Sequence, residues 1–584
     1  MIILGLSFDY HDSAAALIED GKVIFAIQEE RLTRIKNDKR FPIRAIEECL
    51  RFRNININEL DYITYYENAL KKFDRIAFHN FFKKFNFKII SDILKDWIDE
   101  DKFFPSDKIS KTLEFPKSKI FNVDHHQSHR DSAIFCSGFK ESLVITIDGV
   151  GEYKTFSVSL FKDGEFKTLG SSNFPNSLGL FYSVITAFLG FQINEGEYKV
   201  MGMSAYGKPL YLDFFRKIIY VKNGKIILNS KYFNFTDFEK APFNNNLIEV
   251  IGEPNLSKKT ISDDNLDSKQ ELHYANIAAS AQKVTEEIII SLVDYWKNKT
   301  KVNNLCLAGG CALNSLANNK IQKELKMNLF VQPAAGDAGC ALGSALGFYY
   351  KKSKKNKISN FTCSLGSLFD KNDILKALSN YSPRDYKFVE KKSNLIKMTS
   401  KILAEGKIVG WFQGRSEWGP RALGNRSILA SPKFKDMKNR LNSSIKFRES
   451  FRPFAPAIKS ENASEYFEIE ENSNENNPEK FMLTICKVKK NTKEKLPAIV
   501  HVDGSARVQT VCENENKIFY NLLNQVGKDT GHPVLINTSF NLKGEPIVNS
   551  PTDALKTFEL SNIDYLVIEN FLIKRPNYKN LNKI

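Results

Sequence analysis

The sequence predicts a two-domain α/β protein whose first domain contains an internal duplication. Three observations support this prediction. At 584 residues the chain is too long for a single hydrophobic core, so two large domains are expected. Residues 2–26 and 143–166 share one pattern of short apolar runs, and a lysine-rich run at 351–357 separates two parts of the chain. We therefore predict domains at residues 1–355 and 356–584.

The duplication is predicted from two stretches with the same order of elements. Residues 2–26 and 143–166 each read as a strand, a polar turn, a second strand, a tight turn and a third strand. The tight turn in both is an Asp-Gly pair between apolar runs, which is a strong hairpin signal. Helical stretches lie between them, so the repeat predicts two similar α/β halves with a cleft between them.

The second domain is predicted to open on a helix followed by a strand. A helical pattern over residues 396–406 ends at a glycine, and the apolar run 407–413 follows it. Alternating patterns in the rest of this region predict a mixed sheet with helices.

Composition narrows the class of protein. Apolar residues make up 42% of the chain and aromatic residues 12%, which is ordinary for a globular protein. No apolar run reaches the ~18 residues that span a bilayer, and no basic leader opens the chain, so we expect a cytoplasmic protein without membrane contact. The eight cysteines form no Cys-x-x-Cys pair, which favours reduced thiols.

The net charge of +16 is spread along the chain. One interpretation is a solvated surface in a lysine-rich composition. The other is an electrostatic field that favours anionic small molecules such as nucleotides. No nucleic-acid-binding module is recognisable, so nucleic acid is not expected as a partner.

Four residues that lie far apart in sequence form a candidate metal site. His125 and His129 are four residues apart, so a helix over 125–137 with Asp124 as N-cap places both imidazoles on one face. Asp148 ends an apolar run, and Asp337 lies in a glycine-containing loop. Two histidines and two carboxylates suit a divalent transition metal better than calcium.

Two glycine loops accompany these residues. The first covers residues 307–314 and the second residues 334–343, and each lies next to an apolar run. Glycine lets backbone amides approach a phosphate or a nucleoside closely. The loops are therefore candidates for nucleotide binding.

The second domain carries a dense set of cations beside small and aromatic residues. The segment 414–427 holds three arginines and the segment 446–452 three more cations, interleaved with Gly, Pro and Phe. Arginine suits bidentate contacts with phosphate or carboxylate, so this pattern predicts an anion pocket. The alternative is a set of structural ion pairs. Further polar contacts are expected from residues 501–510 and 537–541.

At this point the sequence resembles a known family. It is similar to the NodU/CmcH-type O-carbamoyltransferases, which include relatives of the nodulation protein NodU and the tobramycin carbamoyltransferase type. The resemblance covers nearly the whole chain. It rests on both glycine loops, the His-x-x-x-His segment and ordered motifs at 10–17, 29–36, 197–207, 419–428, 451–456 and 537–541.

The resemblance implies a fold for each predicted domain. Residues 1–355 would have the duplicated actin-like ATPase fold in its Kae1-like form. Residues 356–584 would form an α+β YrdC-like domain.

The resemblance also implies a two-step reaction. The YrdC-like domain would make carbamoyl-adenylate from carbamoyl phosphate and ATP, because carbamate is a poor acyl donor and an adenylate provides a good leaving group. The Kae1-like domain would then transfer the carbamoyl group to an acceptor hydroxyl, with the metal as a Lewis acid.

The family's functional positions map onto this sequence residue by residue. Arg421, Lys446 and Arg452 would bind and neutralise phosphate charge, and His11 would be the general base. The metal would lie on His125, His129, Asp148 and Asp337. Nucleotide contacts would come from Gly309, Gly310, Asn314, Gly336, Arg415, Arg507, Thr510 and Ser539.

The implied cofactors are a divalent transition metal, with Fe²⁺ suggested by the family, and ATP with Mg²⁺. Ligand type alone also permits manganese, cobalt, zinc or nickel. The expected partners are a nucleotide and a small-molecule or carbohydrate hydroxyl acceptor, and a homodimer is compatible with the resemblance.

Two other functions use related folds. The first is carbamoylation of a non-alcohol acceptor, as in threonylcarbamoyl-adenosine chemistry, which would require a focused basic surface for tRNA. The second is a nucleotide-binding sensor, which would have lost the metal and anion residues.

Overall fold

Strands and helices alternate along the chain in the computed structural model, which shows a mixed α/β protein. The structure describes residues 1–84, 87–235, 240–255, 269–354, 361–381, 385–446, 452–469 and 476–575, without the side chains of residues 80–84, 87–90 and 444. Among these residues, no helix combines the length and the apolar character that a bilayer crossing requires.

The residues separate into two compact units. Unit 1 comprises Met1–Glu30, Asn37–Phe361 and Glu470–Pro478. Unit 2 comprises Arg31–Lys36, Thr362–Ile469 and Glu479–Ile584. The short segment 31–36 therefore packs with unit 2, although the chain on either side of it belongs to unit 1.

The strands of the first part of the chain form two sheets and a small ribbon. They are β1 (Ile2–Ser7), β2 (Ala14–Glu19), β3 (Lys22–Gln28), β4 (Tyr62–Tyr65), β5 (Ile120–Asn122), β6 (Ser142–Ile147), β7 (Lys154–Lys162), β8 (Glu165–Asn173), β9 (Ile219–Lys222), β10 (Lys225–Leu228), β11 (Asn304–Ala308) and β12 (Asn328–Val331).

The helices of the same part lie between and beside these strands. They are α1 (Glu30–Thr33), α2 (Ile43–Arg53), α3 (Ala69–Lys84), α4 (Phe87–Asp99), α5 (Pro105–Leu113), α6 (His125–Ser137), α7 (Leu178–Phe188), α8 (Glu197–Met203), α9 (Leu212–Ile218), α10 (Asn245–Ile251), α11 (Lys269–Thr300), α12 (Ser315–Leu325) and α13 (Asp337–Ser353).

The two five-stranded sheets of unit 1 share one topology. The first has the order β3-β2-β1-β4-β5 and the second β8-β7-β6-β11-β12. In each sheet the first three strands of the chain form an antiparallel meander. The other two strands run parallel to the central strand, which is β1 in the first sheet and β6 in the second. The repeated order of strands expected from residues 2–26 and 143–166 is therefore present.

The hairpin turns in both sheets follow from their Asp-Gly pairs. Asp20 and Gly21 have φ of 48° and 77°, and Asp163 and Gly164 have φ of 52° and 81°. Two successive positive φ values define the turn whose twist matches a two-residue hairpin. The two turns are equivalent, so the residues that flank them pair in the same way: Glu19 with Lys22 and Lys162 with Glu165.

Helix α13 packs very closely against α6 and β1. A Cβ atom on Gly343 would lie 1.8 Å from the carbonyl oxygen of Ser128, and one on Gly5 would lie 1.9 Å from that of Ala341. A Cβ on Gly347 would lie 2.0 Å from Oδ2 of Asp131. Only glycine permits these approaches, because any side chain would have to displace backbone or buried atoms.

Helix α13 also covers the start of the lysine-rich run at 351–357, which the sequence analysis placed between the two domains. Lys351 and Lys352 belong to the last turn of this helix, and the rest of the run from residue 355 lies outside the described residues. Buried Tyr349 and Tyr350 extend the apolar face of the helix to its end, while the Lys352 ammonium lies 4.1 Å from the centre of the Tyr62 ring. Lysines also suit a helix C-terminus electrostatically, so residues 351–353 continue the helix.

The elements after residue 361 belong to unit 2. The strands are β13 (Tyr386–Phe388), β14 (Val409–Phe412), β15 (Arg426–Ala430), β16 (Ala455–Lys459), β17 (Phe467–Glu468), β18 (Cys486–Val488), β19 (Ser505–Ala506), β20 (Gln509–Val511), β21 (Val534–Ser539), β22 (Tyr565–Ile568) and β23 (Phe571–Lys574). The helices are α14 (Lys371–Leu378), α15 (Lys392–Ala404), α16 (Met437–Leu441), α17 (Ala463–Tyr466), α18 (Lys490–Lys495), α19 (Lys517–Thr530) and α20 (Pro551–Leu560).

Unit 2 is built on a mixed eight-stranded sheet with a core on each face. Its order is β13-β23-β22-β14-β15-β21-β16-β20, and β17, β18 and β19 form a separate small sheet. Neighbouring residues along a strand, such as Ile428 and Leu429, belong to different cores because side chains alternate across a sheet. The helix α15 and strand β14 agree with the elements predicted for 396–413.

The close packing of α13 on α6 generates a testable prediction. Gly343→Ala should lower the free energy of unfolding by about 1 to 3 kcal/mol, because the added methyl meets a backbone oxygen that cannot rotate away. Gly347→Ala should cost less, since the obstacle there is the end of the Asp131 side chain. Urea denaturation of both variants measures the difference. A Gly343→Ala protein as stable as the wild type would contradict the packing.

Candidate metal centre and anion site

Helix α6 begins at His125, where the sequence predicted it. The backbone N–H of His125 donates to Oε1 of Glu152 at 2.8 Å, and the N–H of Asn68 donates to the same oxygen at 2.9 Å. Asp124 occupies the N-cap position, but its side chain makes no capping hydrogen bond and instead pairs with Lys71 at 3.0 Å. Asp124 is therefore the N-cap residue as predicted, and Glu152 supplies the hydrogen bond that holds the first turn.

The four predicted metal ligands converge in unit 1. His125, His129, Asp148 and Asp337 offer ligand atoms that all lie within 4.8 Å of one another. Nε2 of His125 lies 3.1 Å from Nε2 of His129 and 3.1 Å from Oδ2 of Asp148. All four residues are buried, with exposed fractions between 0% and 9%.

These donor atoms fit a divalent transition metal. Ligand atoms about 2.1 Å from a tetrahedral ion are roughly 3.4 Å from one another. Nε2 of His129 lies 3.8 Å from Oδ2 of Asp148 and 3.7 Å from Oδ1 of Asp337, which brackets that spacing together with the 3.1 Å pairs. Imidazole and carboxylate donors suit such an ion, and two carboxylates would neutralise a dication.

The buried charges of this cluster support one another electrostatically. Burial would raise the pKa of Asp148, but hydrogen bonds from His125 and His129 hold that pKa well below its usual value. Burial would likewise raise the pKa of Asp337, but the charges of His11 and His125 lower it to about 2. Both carboxylates are thus kept ionised, which is the form that binds a metal.

His11 lies in the loop after β1, at the edge of this cluster. Its Nδ1 lies 2.9 Å from Oδ2 of Asp12 and its Nε2 lies 3.8 Å from Oδ2 of Asp337. Burial lowers the pKa of His11, but the Asp337 carboxylate and the hydrogen bond with Asp12 outweigh it and raise the pKa to about 9. The His11 imidazole is therefore protonated at neutral pH as long as no metal ion offsets the charge of Asp337.

The first glycine loop supports the metal ligands directly. The N–H of Gly310 donates to Oδ1 of Asp148 at 2.8 Å, which fixes the carboxylate and leaves Oδ2 for the cluster. Gly309 has φ of 88°, and a Cβ there would lie 2.3 Å from the Ile147 carbonyl oxygen. Gly336 precedes α13 as its N-cap residue and has open space in front of it.

Asn314 has a structural role in addition to the predicted nucleotide contact. Its Oδ1 accepts from the N–H of Ala317 at 3.1 Å and caps α12. Its amide also exchanges two hydrogen bonds of 3.0 Å with Gln282. These contacts fix the direction of the side chain at the start of the helix.

Lys446 is the most buried of the predicted phosphate-binding cations in unit 2. Its side chain is 4% exposed, and its ammonium donates to the carbonyl oxygen and hydroxyl of Ser539 and to both oxygens of Asn541. These four acceptors are neutral oxygens, and they orient the ammonium. Ser539 therefore positions Lys446 at the end of β21.

The other predicted cations of unit 2 divide into two groups. The guanidinium of Arg415 donates to the carbonyl oxygens of Leu365 and Gly366, so it fixes a neighbouring loop. Arg421, Arg452 and Arg507 are all intermediate in burial, between the core and the solvent.

Thr510 and Asn537 each carry a buried polar atom in the sheet of unit 2. The hydroxyl of Thr510, on β20, has no hydrogen-bond partner among the described residues, and neither has Oδ1 of Asn537. Both residues pair with the same strand, β16, on opposite sides. Buried polar atoms of this kind are costly unless a ligand or water satisfies them.

Sequence reasoning missed several supporting residues. Glu152 holds the start of α6, and Arg426 is fully buried, stacks on Phe412 at 3.5 Å and donates to the carbonyl oxygens of Gln413 and Gly414. Burial lowers the pKa of Arg426 to about 10. Arg426 lies within the segment 414–427 that predicted an anion pocket, and its contacts instead make it a structural residue. Glu152 lies within the repeat at 143–166, but the residues that it holds are distant in sequence.

Comparison with known families matches both parts of the chain. The family described as "Carbamoyltransferase N-terminus" matches residues 2–346, and the family described as "Carbamoyltransferase C-terminus" matches residues 400–575. The metal ligands lie in the first region and the anion-site residues in the second.

Curated relatives match over most of their length. Nodulation protein NolNO of Sinorhizobium fredii is 34% identical over 97% of this chain and 79% of its own. Nodulation protein NolO of Bradyrhizobium diazoefficiens is 35% identical over 78% of this chain and 79% of its own. An uncharacterised Synechocystis protein is 38% identical over 98% of this chain and 96% of its own.

Likenesses to solved structures are distant. HypF of T. kodakarensis matches with a TM-score of 0.31 and 13% identity over 60% of this chain and 48% of its own. Component A of the Acidaminococcus fermentans (R)-2-hydroxyglutaryl-CoA dehydratase matches with a TM-score of 0.33 and 15% identity over 61% of this chain and 100% of its own.

The ligand cluster predicts metal binding by the purified protein. Wild type should hold about one transition metal per chain, and His129→Ala should lose it, because a buried ligand is removed from a four-donor set. His126→Asn is the matched control, since His126 is also buried on α6 but bonds to Ser157 outside the set. Elemental analysis measures the content. Equal metal in His129→Ala and wild type would contradict this site.

The charge around His11 predicts a metal-dependent titration. In metal-free protein the pKa of His11 should lie near 9, because Asp337 is unneutralised. Zn²⁺ bound at Asp337 should lower this pKa by about 1 to 3, since the carboxylate charge is then offset. NMR titration of histidine-labelled protein measures it, with His11→Gln to assign the signal. A pKa that does not change with Zn²⁺ would separate His11 from the centre.

Proposed function

Because the chain belongs to the carbamoyltransferase family, we propose that it is an ATP-dependent O-carbamoyltransferase that works through carbamoyl-adenylate. The observation that carries this proposal is the pairing of two chemically distinct sites in one chain. Unit 1 holds a buried set of two histidines and two carboxylates, and unit 2 holds a buried lysine among further cations.

We assign adenylate formation to unit 2. In this step water hydrolyses carbamoyl phosphate to carbamate and inorganic phosphate. A carbamate oxygen then attacks the α-phosphorus of ATP, and pyrophosphate leaves. Negative charge accumulates on phosphate oxygens in the transition state. The orientation of the Lys446 ammonium by neutral oxygens supports a role in stabilising that charge, with Arg421 and Arg452 as further cations.

Unit 1 is the proposed site of transfer. An acceptor hydroxyl attacks the carbamoyl carbon, the bond to the adenylate oxygen breaks, and AMP leaves. His125, His129, Asp148 and Asp337 would hold a divalent transition metal, Fe²⁺ by family resemblance, which would supply Lewis-acid polarisation of the carbamoyl oxygen. The loop amides around Gly309 and Gly336 lie beside these residues and are the proposed nucleotide contacts.

His11 is the proposed general base for the acceptor hydroxyl. Its ring is 19% exposed on the side-chain scale, so it is reachable from solvent, while Asp12 orients its Nδ1. Once the charge of Asp337 is offset, the pKa of His11 falls towards neutrality and its Nε2 can accept a proton. Asp12 is therefore a positioning residue. The acceptor class that this chemistry requires is an alcohol on a small molecule or carbohydrate.

The division of labour predicts opposite effects in two half-reactions. Arg421→Ala should reduce carbamoyl-phosphate-dependent pyrophosphate release at least ~10²-fold, because a cation at the developing phosphate charge is lost. His11→Asn should leave pyrophosphate release intact and stop transfer of labelled carbamoyl groups to an acceptor that wild type uses. Both rates are measured on the full chain with Mg²⁺ and ATP.

Arg440→Ala serves as the control for loss of a cation in unit 2. The Arg440 guanidinium donates to the Gly406 carbonyl oxygen and lies 3.9 Å from Oδ2 of Asp564, so it contacts residues outside the anion-site segments and both half-reactions should be unchanged. Loss of pyrophosphate release in His11→Asn would show that the two sites are not separate. Normal transfer by Arg421→Ala would place adenylate formation elsewhere.

A further inference from the structure

Cys340 lies one turn after Asp337 on α13 and is fully buried. Residues three apart on a helix share a face, so the thiol and the carboxylate point to the same side of α13. That side is packed against α6, whose residues His125 and His129 are likewise one turn apart. The two helix faces therefore bring together two nitrogens, an oxygen and a sulfur.

These donors form two overlapping ligand sets. His125, His129 and Cys340 offer ligand atoms within 4.8 Å of one another, and the same two histidines form the other set with Asp148 and Asp337. The histidines are shared, whereas the thiol belongs to one set and the carboxylates to the other. An ion on the two histidines therefore has ligands of different chemistry in reach.

We propose that the centre is bifurcated, so that hard divalent ions use the carboxylates and soft ions use the thiolate of Cys340. Carboxylate oxygens favour ions such as Mn²⁺, and thiolate favours ions such as Cd²⁺. Binding of a soft ion forms one Sγ–metal bond and releases the thiol proton to solvent. Cys340 is thus a residue that determines which metals compete for the transfer site.

This inference rests on the proposed metal centre, and it predicts that Cys340 lets soft ions compete for the two histidines. A soft ion held by Cys340 and the two histidines would use a ligand set that contains neither carboxylate. The set formed by Cys340 and the two histidines therefore makes the protein sensitive to soft metals. Serine at position 340 would remove that alternative with little change in volume.

The test uses the metal-free full chain and two probe ions. Wild type titrated with Cd²⁺ should develop thiolate-to-metal charge-transfer absorption in the ultraviolet. Cys340→Ser should lose this band and bind Cd²⁺ about 10- to 100-fold more weakly. Mn²⁺ affinity, measured by electron paramagnetic resonance, should be the same in both proteins, which also shows that the variant is folded.

Cys136→Ser is the matched control, because Cys136 is buried on α6 but belongs to neither ligand set. It should keep the Cd²⁺ band. A band of wild-type strength in Cys340→Ser would overturn the proposal, as would its absence in wild type that binds Mn²⁺. Failure of wild type to bind Mn²⁺ would instead overturn the metal centre itself.

Discussion

The close contact between α6 and α13 is the constraint on which the candidate centre depends. Each helix supplies ligands from one turn, and those turns meet only because glycines let the backbones approach. Gly343 abuts the carbonyl oxygen of Ser128, next to His129 in the sequence. A side chain at that position would push the two helices apart and disturb the spacing of the four ligand residues.

The ionisable residues at this contact are buried, and burial makes their charges depend on one another. Two carboxylates and two imidazoles removed from water can be stable only if they compensate one another or bind an ion. The hydrogen bond from Gly310 to Asp148 and that from His125 to Glu152 fix the geometry from outside the cluster. The charge of buried Asp337 also raises the pKa of His11, so the proposed base and the proposed metal are linked by charge.

Unit 2 carries the proposed anion site, which needs cations that can bind an anionic substrate. Lys446 is buried but oriented by neutral oxygens, whereas Arg426 has its hydrogen bonds satisfied by backbone carbonyls. Arg426 also stacks on Phe412 inside the core and serves the fold, whereas Lys446 is the proposed contact with substrate. This distinction separates residues that look alike in the sequence motifs.

The sequence by itself determined the mixed α/β class, the repeated hairpins, the helix at 125–137 and the family, because these depend on local periodicity, turn chemistry and ordered motifs. The positions of His125, His129, Asp148 and Asp337 followed from the same signals. Only the tertiary structure decided that Glu152 holds α6, that the lysines at 351–352 continue a helix, and that Cys340 shares the histidines. These outcomes depend on contacts between distant segments, which no local pattern encodes.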